Sequence, residues 1–318
     1  MSQAKNRIYT ILGAGGSVGN ALARNLIADN KSVRLFSRSS VAQHGAESFR
    51  GDLASLHDTT EGVKNSDVVF LCAGLAYDIT VWRELWPRIM SNAIEACKVN
   101  NSLLIFLDNV YCYGRVTGLM TEETPNNPSS KKGEVRAKIA EQLQGEMKRG
   151  NLRAIIARAA DFYGPFSTKT SVVQILVIDR LRQGKKAYWL VNPDAPHSFS
   201  YIPDLAKALQ MLAEEEASIN KVWHLPTSNS PLTGRAFVEI AAKELGVTPR
   251  MSVLTKWMMR LAGLGDATIR ESYEMLYQSE FDYVFDSSKF NKHFNYAPTP
   301  YPEGIVQMIR FSREEQSV

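Results

Sequence analysis

Only three cysteines, Cys72, Cys97 and Cys112, occur in the 318 residues. Their spacing matches no metal-ligand pattern and they cannot all pair with one another, so a disulfide framework and a zinc site are both excluded. Buried thiols in a reducing compartment are expected instead. Nowhere does an apolar run approach the roughly 20 residues that a membrane span requires. The polar start, Met1 to Arg7, leads straight into a short apolar segment without the core of a signal sequence. Charge of one sign is also lacking: 37 Lys and Arg face 33 Asp and Glu, a net +4, with no long basic run. Neither nucleic acid nor membrane is therefore expected as a partner, and a cytoplasmic location follows. Internal repeats and low-complexity segments are absent too.

What remains is the composition of an ordinary globular protein, 44% hydrophobic and 22% charged, enough to build a substantial core. The length suits one main domain with a smaller lobe. Up to about residue 160, short β-branched apolar runs alternate with longer amphipathic ones, the pattern of parallel strands joined by helices. Strands are expected at Ile8-Leu12, Ser32-Phe36, Val68-Cys72, Leu103-Leu107 and Arg153-Ala157. Apolar positions three and four apart predict helices over Val18-Ala28, Trp86-Val99 and Glu134-Lys148. After Phe162-Tyr163-Gly164-Pro165 the alternation weakens. A helical run at Asp204-Glu214 and a strand at Lys221-Leu225 then bring the chain back to the first sheet. The expected division is a dinucleotide-binding domain over 1–165 with a return at 199–225, and a substrate-binding lobe over 166–198 and 226–318. A capped helix is expected from Thr233 to Gly246, and a final helix after the proline-rich 298–302.

The first strand is followed by Gly13-Ala14-Gly15-Gly16-Ser17-Val18-Gly19 and then by a helix. Glycines at 13, 16 and 19 let the chain turn sharply, let backbone N–H groups approach a pyrophosphate, and let the helix pack closely on the strand. The positive helix N-terminus then faces the phosphates. Strand, turn and helix in this order are the context the mechanism needs, and they point to a Rossmann site. An NAD-specific site normally ends its second strand with a carboxylate for the adenosine ribose. Here that strand ends Ser37-Arg38, a hydroxyl and a guanidinium suited to a 2′-phosphate, so NADP is preferred and NAD is the weaker alternative. Asp52 and Leu53 are candidates beside the adenine, although Asp52 serves equally well as a cap for the following turn. Ala73 and Gly74 let the backbone pass close to the cofactor.

The glycine turn, Gly51-Asp52-Leu53, Val110-Tyr111-Cys112-Tyr113-Gly114, Thr121-Glu122-Glu123-Thr124-Pro125, Phe162-Tyr163-Gly164-Pro165, Phe199-Ser200-Tyr201-Ile202-Pro203-Asp204 and Phe285-Asp286-Ser287-Ser288-Lys289 together resemble the extended short-chain dehydrogenase/reductase superfamily. Within it they resemble the NAD(P)-dependent epimerase/dehydratase group of nucleotide-sugar epimerases and reductases. That resemblance implies a doubly wound parallel α/β sheet with a smaller C-terminal substrate lobe, and a homodimer. It also exposes departures. The family's Ser or Thr, four residues before the tyrosine of its VYG motif, falls at Asn109. The family's general acid/base, a Tyr four residues before a Lys, falls at Glu134 and Lys138, and there is no tyrosine. Lys138 would hold the nicotinamide ribose through its three donors. Alternatively, Glu134 and Lys138 form a surface ion pair. In the place of an asparagine that fixes the family's site stands Trp86-Pro87, with Pro87 in a first helical turn. Candidate proton carriers are Tyr111, Tyr113, Glu134 and Tyr163. Tyr113 otherwise lines the substrate pocket, and Glu134 serves as an acid only if burial raises its pKa. His197, Arg158 and Asp161 flank the cleft, and Trp257-Met258-Met259 lines it or packs in the core.

Two functions follow. The first is an NADP-dependent oxidoreductase or epimerase acting on a small carbonyl, hydroxyl or nucleotide-sugar compound. The second, favoured by the missing Ser and Tyr, is a non-catalytic NADP-binding sensor or scaffold.

Overall fold

The computed structural model describes residues 7–39, 41–167 and 170–314. Its strands are β1 (Ile8–Leu12), β2 (Ser32–Ser37), β3 (Ala46–Arg50), β4 (Val68–Leu71), β5 (Leu103–Asp108), β6 (Leu119–Met120), β7 (Ala154–Arg158), β8 (Asp161–Tyr163), β9 (Ala187–Leu190), β10 (Phe199–Tyr201), β11 (Val222–His224), β12 (Met251–Leu254) and β13 (Val284–Phe285). Seven of them form one sheet in the order β11-β7-β5-β4-β1-β2-β3. Every pair in it is parallel, as crossover connections require. The order reverses between β1 and β4, and a crevice at the carboxyl ends of the strands there is where such sheets bind ligands.

The helices are α1 (Ser17–Ala28), α2 (Leu56–Val63), α3 (Ile79–Asn100), α4 (Lys131–Lys148), α5 (Asp179–Arg182), α6 (Ile202–Glu214), α7 (Gly234–Leu245), α8 (Lys256–Ala262), α9 (Ala267–Ser272), α10 (Ser288–His293) and α11 (Tyr301–Glu314). Leu22 and Leu26 of α1 and Leu205 and Leu209 of α6 bury one sheet face with Ile11, Phe70 and Ile105. Met90 and Ile94 of α3 and Ile139 and Leu143 of α4 cover the other with Leu71, Phe106 and Ile156. A third core joins Trp189, Phe199, Phe237, Tyr301 and Ile305. Short parallel pairs, β8 with β10 and β6 with β13, bind later segments of the chain to the loops at the carboxyl end of the sheet.

The five strands expected in the first 160 residues and the returning one at 221–225 are present to within a residue or so, while β3 and the short strands β6, β8, β9, β10, β12 and β13 go beyond them. Two helices start earlier than their apolar periodicity suggests, and in each a side-chain cap sets the start. The Asp78 side chain accepts from the amides of Thr80 and Val81, so α3 begins at Ile79 and Pro87 lies in its interior instead of its first turn. The Ser130 side chain accepts from Gly133 N–H, so α4 begins at Lys131. Such side-chain acceptors satisfy amides that the first turn leaves open, which fixes where the helix starts. All three cysteines are buried and free. Among the described residues no helix is long and apolar enough to cross a membrane.

Candidate active site

The glycine turn has the geometry of a phosphate cradle. Gly13 sits at φ +90°, and a Cβ there would lie 2.5 Å from Ala73 Cα. At Gly19 a Cβ would come within 2.9 Å of Gly13 O, so both positions require glycine for close approach of backbone to backbone. Gly13 and Ala14 donate their amides to Phe36 O, which clamps the turn onto β2. Gly16 caps α1 with no side-chain cap bond among the described residues, and no acidic residue lies in the first turn. A helix N-terminus left in this state attracts an anion. Ser17 is partly buried and its Oγ lies 3.1 Å from Thr170 Oγ1, which brings the segment after Gly164-Pro165 beside the turn. Val18 and Gly19 are buried, so the valine side chain belongs to the core.

Arg38 is exposed at the end of β2, and Ser37 donates its hydroxyl to Ser39 O. Arg50, which carries no motif of its own in the sequence, is the register partner of Ser37 on β3. Asp52 is exposed and accepts from Ala54 N–H at 2.9 Å, the turn-capping alternative. Leu53 is buried, and its carbonyl accepts from Asn92 Nδ2 at 2.8 Å. Ala73 backs onto Gly13, whereas Gly74 has open space where a side chain would be.

The expected proton relay is the part the structure overturns. Glu134 and Lys138 both lie on the exposed side of α4. The inward positions four residues apart are Lys132 and Arg136, 0% and 3% exposed. This register was legible in the apolar stripe Val135, Ile139, Leu143 and Met147, which shares a helix face with 132 and 136 and not with 134 and 138. The Arg136 Nε donates to Asp108 Oδ1 at 2.8 Å, and its guanidinium lies 4.4 Å from the centre of the Trp86 ring. Arg158 Nε donates to the other oxygen, Asp108 Oδ2, at 3.3 Å, and Asp108 itself is 1% exposed. Asp108 therefore sits between two guanidiniums at the carboxyl end of β5. Lys132 Nζ is held by Glu271 and by Glu274 Oε1 at 3.1 Å, both from the segment around α9. Glu271 Oε2 also accepts from Ile79 N–H at 3.0 Å. The later segment is thereby bonded to the first turns of α3 and α4.

Asn109 is partly buried, and its Oδ1 accepts from Tyr111 N–H at 3.0 Å, shaping the turn after β5. Tyr113 is not available for proton transfer. The His224 Nδ1 stands 2.7 Å from Asp286 O, so that nitrogen donates, and Nε2 accepts from the buried Tyr113 hydroxyl at 2.7 Å. Burial pushes the Tyr113 phenol up and the His224 imidazole down to about 3, so both stay neutral. Tyr163 is buried too, between Tyr201 and Tyr301. Of the expected cleft residues, Arg158 belongs to the Asp108 network, while His197 Nε2 and Asp161 Oδ2 meet at 2.9 Å. Trp257 is 65% exposed and only Met259 of its group is buried, so that trio is not a core cluster.

The fold matches known structures over nearly its whole length. MoeE5 in complex with UDP-glucose and NAD aligns with a TM-score of 0.77 at 20% identity, over 98% of this chain and 99% of that one. The UDP-glucose 4-epimerase of Thermus thermophilus in complex with NAD aligns at 0.78 and 17% identity, over 96% and 99%. A Bacillus anthracis dTDP-glucose 4,6-dehydratase in complex with NAD aligns at 0.81 and 15% identity, over 98% of each chain. No curated protein sequence matches this one. A sequence profile matches residues 9–225, more than half of the chain, from the first strand through the phosphate cradle to β11. With that match and the cradle in place, the chain belongs to the NAD dependent epimerase/dehydratase family.

Proposed function

We propose that this protein binds a nicotinamide adenine dinucleotide, prefers the 2′-phosphorylated form, and uses it in oxidoreductase or epimerase chemistry on a small hydroxyl or carbonyl compound of the nucleotide-sugar type. The observation that carries the reading is the cradle of Gly13, Gly16 and Gly19 at an uncapped helix N-terminus. Bound there, the dinucleotide supplies a two-electron hydride acceptor or donor. The amides of the first turn of α1 would hold its pyrophosphate. Arg38, with Arg50 on the neighbouring strand, supports the 2′-phosphate preference, since guanidinium binds phosphate oxygens by charge-assisted bonds. The family relatives named above were solved with NAD, so the preference rests on these two residues alone. The lobe over 166–198 and 226–318 would carry the substrate, and three free buried thiols fit a reducing cytoplasm.

Calorimetric titration with NADPH and NADH tests the reading. NADPH is expected to bind tighter, and Arg38→Ala to weaken NADPH at least tenfold while leaving NADH within about twofold, as the loss of one charge-assisted contact implies. Equal losses refute the 2′-phosphate assignment, and absence of binding refutes the whole. A second reading, a dinucleotide-binding sensor or scaffold without turnover, is favoured by one observation: Lys132 and Arg136, the inward pair on α4, are both engaged by carboxylates. Tight NADPH binding without turnover of any hydroxyl or carbonyl probe would select it.

A further inference from the structure

The proposed oxidoreductase needs a group to take the hydroxyl proton of its substrate, and α4 offers no phenol. One carboxylate elsewhere has the right placement. Asp161 opens β8, three residues beyond the carboxyl end of β7 and so on the same end of the parallel sheet as the glycine turn that follows β1. Its side chain is 39% exposed. Oδ2 is taken by His197 Nε2, and Oδ1 has no protein donor among the described residues. His197 is 8% exposed at its side chain and packed between two rings, stacked on Tyr283 at 4.4 Å and tilted against Phe199 at 4.6 Å. A ring pinned in this way fixes the carboxylate to which it is bonded.

Tyr283, before β13, is tied to that carboxylate through the His197 ring on which it stacks, and three more buried phenols from separate segments, Tyr77 before α3, Tyr111 after β5 and Tyr277 after α9, lie within reach of its charge. Burial raises each of them, and the Asp161 charge raises each further. All four therefore stay neutral. The Tyr283 hydroxyl is buried with no partner among the described residues. Natural proteins rarely leave a buried hydroxyl unsatisfied, so an orphan beside a half-exposed carboxylate marks where a ligand's polar atom belongs. A compound with hydroxyls on neighbouring carbons suits this place, one hydroxyl donating to the acceptor-only carboxylate and another accepting from the unpartnered phenol.

We propose that Asp161 is the proton acceptor of this enzyme, with His197 as its positioning residue. The assignment rests on the oxidoreductase reading above. In the oxidation direction the substrate O–H proton would pass to Asp161 Oδ1, and a dinucleotide held at the cradle of Gly13, Gly16 and Gly19 would supply the acceptor for the hydride lost from the same carbon. The C–O bond becomes C=O, and Asp161 returns its proton to solvent. Reduction runs the same steps backwards, with Asp161 as the acid.

The test uses full-length protein with two probes, UDP-glucose with NADP⁺ and 9,10-phenanthrenequinone with NADPH, and calorimetry with NADPH on every variant. Asp161→Asn keeps shape and His197 contact but accepts no proton. It is expected to lower kcat about 100-fold, the scale of lost general-base catalysis, with KM and NADPH affinity within about threefold of wild type. Added formate is expected to restore turnover to Asp161→Ala. His197→Phe, which keeps the ring stack, is expected to lower kcat about tenfold without raising KM. Asp161→Asn turning over within threefold of wild type, with NADPH bound, overturns this assignment and leaves the oxidoreductase reading intact. So does an Asp161→Asn loss confined to KM. Wild type that binds NADPH and turns over neither probe overturns it in favour of the scaffold, and wild type that binds neither NADPH nor NADH overturns the cofactor reading itself.

Discussion

Replacing Asp108 with Asn removes the single carboxylate between two buried guanidiniums while keeping the side chain's shape. Arg136 and Arg158 are 3% and 2% exposed, and each bonds one oxygen of Asp108. Without the carboxylate two cations lie in the interior with no opposite charge bonded to them among the described residues. Breaking a buried pair in this way costs about 3–5 kcal/mol, because the surviving charge keeps its desolvation penalty. For 318 residues an unfolding entropy near 0.7 kcal/mol/K, if the molecule unfolds as a unit, turns that loss into a fall in Tm of roughly 4–8 °C. Scanning calorimetry measures it directly. Arg136→Met is expected to cost less, about 1–2 kcal/mol, since Asp108 keeps Arg158 and a methionine still packs under Trp86. In the double variant the losses fall short of additive by about 1 kcal/mol or more, the coupling of groups in one network. A shift below about 1 °C for Asp108→Asn, or strict additivity, would refute the claim that this network holds the end of β5 against α4.

Lys132→Met removes the cation shared by Glu271 and Glu274, so hydrogen exchange over residues 267–279 is expected to quicken; unchanged protection would show that the ion pairs do not hold that segment. Glu134→Ala and Lys138→Ala, both at exposed positions, are expected to stay within about 0.5 kcal/mol of wild type and to leave NADPH affinity unchanged; a tenfold loss at Lys138 would restore it to the cofactor site. The neutral, buried His224 predicts acid sensitivity. Its folded-state value of about 3 lies below the unfolded one, so its contribution is complete above about pH 6.5 and falls by roughly 1.4 kcal/mol per unit as pH drops towards the folded value. Buried Glu122 and Asp204, both raised, act in the opposite sense. The check is therefore the difference in urea-unfolding profiles between wild type and His224→Gln, which should narrow as the pH falls; parallel profiles between pH 7 and 4.5 would refute it.

Much of the fold was written locally. Runs such as Val68–Leu71 and residues 103–107 are apolar on both faces, as strands covered by two helix layers must be. The phosphate turn was equally local, since its glycines answer to a close approach within one strand–turn–helix unit. Ala46–Arg50 escaped notice because an edge strand with Glu47, Ser48 and Arg50 exposed shows little apolar pattern. The site suffered most from the register on α4. Counting residues from Asn109 put the relay at 134 and 138; the apolar stripe of α4 puts the inward pair two residues earlier.

What no local signal carried is the charge balance across the cleft. Asp108, Arg136 and Arg158 come from β5, α4 and β7, while the carboxylates on Lys132 are about 140 residues downstream of it. Charged side chains at the two inward positions of α4 are costly to bury alone, so each demands a partner that only the tertiary fold can deliver. That demand links the two readings of function. A lysine and an arginine tied to carboxylates position α4 and the α9 segment but leave the proton step to another group. The chain is a catalyst only if a carboxylate such as Asp161, held from behind and open in front, performs that step.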